Sequence, residues 1–187
     1  MSSILLTAPA AEPLALDEAR LFLRVEHNDD DELIGALIVG ARLHIEAQTK
    51  RALITQTWRL ALDEWPASGR IGVRPAPLQA VTAARIYDAD GNAESLDLQS
   101  FVRVLDGTGI AFVPWATPAP GRIASGIELD LRVGYGDTAV LVPEPLRQAI
   151  RLLVAHWYEN RGLVVDTAAA LPETVAALIA PYRMLTL

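Results

Sequence analysis

The chain has 187 residues, 51% of them hydrophobic and 21% charged, enough apolar material for one or two compact units with their own cores. A formal charge of −7 argues against sequence-independent DNA or RNA binding, which needs clustered Lys and Arg to release phosphate counterions. Cysteine is absent, so disulfides, thiolate metal sites and thiol catalysis are excluded.

The first nine residues carry neither the basic segment nor the long apolar stretch of a secretory signal. The longest helical apolar stretch, residues 33–41, falls far short of the ~20 residues that span a bilayer, so a soluble, cytoplasmically made protein with no membrane partner is expected. Lys50 is the sole lysine, an arginine bias that fits a GC-rich genome better than a mechanism.

After a loose Ala/Pro-rich start, residues 16–25 read as a short helix, with Asp17 and Glu18 at the positive end of its dipole. His27 and Asn28 interrupt it. Asn28 is a good N-cap, and Asp29, Asp30, Asp31 and Glu32 load the first turn of a longer helix running to about Lys50. Ile34, Leu37, Ile38, Ala41 and Ile45 follow helical spacing, while Leu33, Val39 and Leu43 broaden the stripe, so this helix is expected to be covered on more than one side.

At Ile54 the period changes. Ile54, Trp58, Leu60 and Leu62 alternate with Thr55, Thr57, Arg59 and Asp63, the pattern of a half-buried strand. Further strands are expected at 81–87, 101–105, 110–113 and, most clearly, 127–135, with a turn at 88–91 after the first of these. Pro75, Pro77, Pro114, Pro118 and Pro120 fall in the connections. Residues 143–161 read as a helix with Leu146, Ile150, Leu153, Val154 and Trp157 on one face, and a shorter helix starts at Pro172 and ends near Pro181. The expected fold class is therefore α+β. A helical bundle is formed by N-terminal helices (1–53) and C-terminal helices with a tail (137–187), and a small antiparallel β insertion (54–136) lies between them.

No catalytic or metal motif stands out, with neither His-Glu-x-x-His nor Gly-x-Ser-x-Gly present. His156 and Glu159 could share a metal, but a lone His/Glu pair at this helical spacing is usually structural. His27 beside Asp29 reads as a helix-start turn. The Asp29–Glu32 run lacks the alternating ligands and glycine of a calcium loop, and charge at a helix N-terminus explains it better. Gly134-Tyr-Gly136 lacks the remaining residues of a phosphate loop and reads as a strand-ending turn. Trp58, Trp65 and Trp115 lie in or near the β segment, where an exposed row would stack on sugars, yet Trp58 sits on the apolar side and core packing is preferred for it. Asp63, Glu64, Glu128 and Asp130 read as a solvated strand edge rather than catalytic carboxylates. Tyr182, Arg183, Met184, Leu185, Thr186 and Leu187 form a tail with no side-chain charge after Arg183, either disordered or docked on a partner.

The order of motifs carries a resemblance. Leu16-Asp-Glu-Ala-Arg-Leu-Phe-Leu-Arg-Val-Glu-His-Asn-Asp-Asp-Asp-Glu-Leu-Ile34 is followed by Ala41-Arg, Glu46, Thr49-Lys-Arg51 and Gln56-Thr-Trp58. Val133-Gly-Tyr-Gly-Asp137, Val142-Pro143, Leu146-Arg-Gln-Ala-Ile150, Ala155-His-Trp-Tyr-Glu-Asn-Arg161 and Pro181-Tyr-Arg183 come next. Together they resemble the head-tail connector (adaptor) family of long-tailed phages and gene transfer agents. The match is loose over 64–125, and the motifs are weak singly but specific in combination.

That resemblance implies a ring subunit, dodecameric in the particle, which docks beneath the portal protein and receives a stopper, head-completion or tail protein. It implies a place in the particle neck, no catalytic residue and no cofactor, with DNA passing through without sequence-specific binding. Family members use a helical bundle, and the carboxyl-terminal segment Tyr182–Leu187 maps onto a portal anchor. An acidic ring also suits a conduit that must let phosphate slide. Arg147, Arg151 and Arg161 are candidates for subunit interfaces, with ordinary solvent-facing charge as the alternative. Two rivals stand beside this reading: another neck component (a stopper or tail-completion protein), expected to be strand-dominated, and a carbohydrate-binding or glycoside-active β module using Trp65 or Trp115.

Overall fold

A computed structural model describes residues 1–160 and 172–184 of the chain. The chain divides into two units, Met1–Pro9 with Thr55–Tyr135, and Ala10–Ile54 with Gly136–Leu187.

The first unit is built from strands β1 (Ser2–Thr7), β2 (Gln56–Leu62), β3 (Arg70–Gly72), β4 (Leu78–Tyr87), β5 (Ala93–Ser95), β6 (Val102–Arg103), β7 (Gly109–Ala111) and β8 (Ile127–Val133). Five of them form one antiparallel sheet in the order β1-β2-β8-β4-β5, and the other three form a second sheet in the order β3-β7-β6. The period-two alternation of β8 explains the core. Ile127, Leu129, Leu131 and Val133 are buried, and their register partners Leu62, Leu60, Trp58 and Gln56 on β2 lie on the same side. On β4, Ile86, Ala84, Val81 and Leu78 continue that row. Each fully buried Leu or Ile contributes ~2 kcal/mol relative to exposure, so this face is a principal source of the unit's stability. In the smaller sheet Ile71 opposes Ile110, and buried Phe112 and Phe101 surround Trp65 at ring-centroid distances of 5.0 and 5.9 Å.

The expected turn at 88–91 joins β4 to β5. The Asp88 carboxylate accepts from the Asp90 and Asn92 backbone N–H groups at 2.9 and 2.8 Å, and Gly91 takes φ +87°, a left-handed value that glycine adopts without strain.

The second unit contains helices α1 (Leu16–Leu23), α2 (Asp31–Thr49), α3 (Glu144–Glu159) and α4 (Glu173–Ile179). α3 packs on the other three. Its buried Leu146, Ile150, Leu153 and Val154 join Ile34, Ile38, Ala41 and Ile45 of α2, Ala19 of α1, and Val175 and Ile179 of α4. Asn28 is not the N-cap of α2: Asp30 takes that position without a side-chain cap bond, and the Asn28 carbonyl instead accepts from Asp31 N–H at 3.1 Å. The Tyr158 hydroxyl on α3 donates to the Asp30 carboxylate, which ties the start of α2 down by another route.

A helical bundle with a small β insertion is therefore the wrong description. The strand unit is a five-stranded antiparallel sheet with a three-stranded companion, against four helices among the described residues. The physical reason is long-range pairing. β1, expected as a loose start, is recruited by β2, and β3 and β5, with three residues each, are too short to show a period.

Candidate functional site

The outward side of the larger sheet carries a charged lattice. Asp130 on β8 is 7% exposed and accepts from Arg59 Nε and Nη2 at 2.7 and 3.0 Å and from Arg85 Nη2 at 2.8 Å. Glu128 lies 3.4 Å from Arg59 and 3.5 Å from Arg85, and accepts from the Tyr87 hydroxyl at 3.0 Å. Hydrogen bonding from Arg59 chiefly, aided by Arg85 and opposed by burial, holds the Asp130 carboxyl below its ordinary range. Burial, and then the bond to Glu128, pushes the Tyr87 phenol up. Arginine and tyrosine thus hold both carboxylates, an arrangement that ties three strands together. Asp130 belongs to a central strand, not to the solvated edge expected of it. Sequence reasoning missed this cluster because opposite charges meet here only once the register of β2, β8 and β4 is set.

In the helical unit Arg147 and Arg151 project from α3 toward α1. Arg147 donates to both oxygens of Glu18 at 3.0 and 2.8 Å, to Glu144 at 3.0 Å and to the Pro13 carbonyl at 3.1 Å. Arg151 is bonded to Glu18 and Glu144 and, at 3.1 Å, to Gln148. The Arg151 bond, first, holds the Glu144 carboxyl below its ordinary range. Arg161 lies outside the described residues.

Of the tail candidates, Tyr182, Arg183 and Met184 run along the end of α2. The Tyr182 carbonyl accepts from Arg51 Nε at 2.8 Å, Arg183 reaches Gln48 at 3.3 Å, and Met184 N–H donates to the Thr49 carbonyl at 3.3 Å. Leu185, Thr186 and Leu187 lie outside the described residues.

The groups weighed for chemistry do not converge. His156 and Glu159 line an open groove of about 600 Å³ with Phe22, Arg24 and Leu152. Among the described residues no three His, Asp or Glu side chains gather as a metal site. Asp29 is exposed near His27, Asp30 is held by Tyr158, and Asp31 pairs with Arg20 at 3.5 Å, so the acidic run splits three ways. Gly134 closes β8, its N–H donating to the Pro77 carbonyl at 2.8 Å.

The tryptophans divide in the same manner. Trp58 is half-buried, and Trp65 is packed among phenylalanines with its indole N–H on the Pro118 carbonyl at 2.8 Å. Trp115 is 89% exposed, and no stacking row joins these rings. Trp115→Ala is expected to change stability by no more than about 0.5 kcal/mol, checked by denaturant titration, because the ring covers almost nothing. No helix among the described residues is long and apolar enough to cross a membrane.

Residues 14–89 match the model of the phage gp6-like head-tail connector protein family. No curated protein matches. Among solved structures, a chain in the neck of an empty gene transfer agent particle, computed with C6 symmetry, is 28% identical with TM-score 0.86. A chain in the virion of a native gene transfer agent particle is 30% identical with TM-score 0.84, and one in the neck of the native particle, computed with C12 symmetry, is 30% identical with TM-score 0.79. Each comparison covers 100% of this chain and 97% of the other. With 30% identity sustained over the full length, and a family model matched across α1, α2 and the first strands that follow them, the chain belongs to the phage gp6-like head-tail connector family.

Proposed function

We propose that this chain is a non-enzymatic ring subunit in the neck of a tailed phage or gene transfer agent particle. It sits beneath the portal protein and joins the head to the stopper, head-completion or tail protein. The observation that carries this is the end-to-end likeness to chains in particle necks of sixfold and twelvefold symmetry, from which a dodecameric ring is inferred. The balance of helix and strand no longer separates an adaptor from a stopper, since strands make up one whole unit. The match of residues 14–89 to the head-tail connector family supports the adaptor reading instead.

The chain's net charge of −7 supports a conduit through which DNA passes without sequence-specific contact. A ring structure with a strongly basic bore would contradict this. The subunit is assembled in the bacterial cytoplasm and stays at the neck. Arg147, Arg151 and Arg161 remain candidates for contacts between subunits, the first two after their bonds within the chain are accounted for.

Tagged chain recovered from particle-producing cells should bring down portal and stopper proteins in near-stoichiometric amounts by mass spectrometry. Recovery of the chain alone from cells shown to be making particles would overturn the adaptor role. Residues 182–187 are assigned as the portal anchor. Replacing Leu185 and Leu187 with Asp is expected to weaken portal binding by about tenfold or more, a loss of ~1.4 kcal/mol, in a titration against purified portal. Unchanged affinity removes the anchor assignment and leaves the ring role standing.

A further inference from the structure

We propose that the outer face of α2 is a contact between neighbouring copies of this chain in the ring, an inference that rests on the ring reading above. α2 is apolar on two sides. Its inner side is core, with Ile34, Ile38, Ala41 and Ile45 each no more than 2% exposed. The other side presents Leu33 at 36%, Val39 at 37% and Leu43 at 54% exposure, with Ala36 and Ala47 also exposed. Steps of three and four residues place these five side chains in one stripe, ~21 Å long at 1.5 Å per residue.

None of the five is charged, and charge enters this side only at its ends, with Glu32 and Lys50. A surface helix of an isolated protein normally turns charged and polar residues to water, so an uncharged second stripe is a surface built to be covered.

The chemistry narrows the occupant. With no cation the stripe has nothing to offer DNA phosphate. Related chains come from necks computed with C6 and C12 symmetry, and in the ring proposed above every subunit has a like copy on each flank. Such a closed ring is held by head-to-tail contacts, so the stripe on one copy must meet a different apolar surface on the next. The chain can supply one: Leu21 and Phe22 near the end of α1 are 81% and 41% exposed.

The test uses the full chain in particles. Leu43→benzoyl-phenylalanine is introduced in particle-producing cells, purified particles are first checked for the chain by mass spectrometry, and they are then irradiated. The expected product is a denaturant-resistant species of twice the subunit mass whose cross-linked peptides both come from this chain. Cross-linking to another particle protein, or no adduct at all, overturns the proposal. Absence of the unsubstituted chain from particles purified in parallel would count instead against the ring reading. As a second variant, Leu43→Asp changes a residue already exposed, so the isolated chain should keep its circular dichroism while its incorporation into particles falls at least tenfold. Incorporation at the unsubstituted level overturns the proposal as well.

Discussion

Asp130→Asn is expected to cost the strand unit about 3 kcal/mol at neutral pH, read as a lowered denaturant midpoint. Asp130 stands on β8, the middle strand of five, and its carboxylate takes a bidentate bond from Arg59 on β2 and a further bond from Arg85 on β4. The neutral amide leaves both guanidinium groups facing each other with Glu128 as their remaining counter-charge, at 3.4 and 3.5 Å. It also turns an amide nitrogen toward one of the donors. Because the arginine side chains are 29% and 28% exposed, water softens the loss, which places the figure at the lower end for breaking a buried pair. Glu128→Gln, at the fringe of the same lattice, should cost only about 1 kcal/mol.

The pH dependence gives that result its sign. Arg59, then Arg85, depress the Asp130 pKa in the folded state, so folding favours the ionised form. Its stabilisation is complete above the unfolded value of about 3.9 and is lost as pH falls through the lower folded value. The gap between the parent and Asp130→Asn should therefore be flat from about pH 5 to 8 and close below about pH 4. A gap that did not narrow at all as pH falls below about 4 would mean that packing rather than charge holds this position.

How much of this was legible in the sequence depended on where each signal lives. The four helices could be read because their apolar residues recur at helical spacing within one segment, and β8 because Glu128 and Arg132 alternate with buried Leu and Ile. β1 could not, since Ser-Ser-Ile-Leu-Leu-Thr has no alternation and becomes a strand only by pairing with residues 57–61. The same non-locality hid the Asp130 lattice and hid Glu18 as the partner of Arg147 and Arg151. Register and helix packing, not composition, bring those charges within reach. The broadened stripe of α2 was visible in the sequence, but only the structure divides it into a covered side and an open one.

Glu18 is the residue that decides what Arg147 and Arg151 do. Its carboxylate accepts from both arginines across the α1–α3 contact, and the arginine side chains are only 18% and 12% exposed. Glu18→Ala leaves two half-buried cations sharing Glu144, which is 61% exposed, and is expected to destabilise the helical unit by about 2 kcal/mol. A double-mutant cycle of Glu18→Gln with Arg151→Met should give a coupling of ~1–2 kcal/mol in denaturant titrations of the isolated chain. Coupling of that size means the pair is committed to joining α1 to α3. Any loss of Arg151→Met chains from particles would then follow from their reduced stability. Coupling below ~0.3 kcal/mol together with normal stability and poor incorporation would instead make Arg151 a group held ready for the neighbouring subunit.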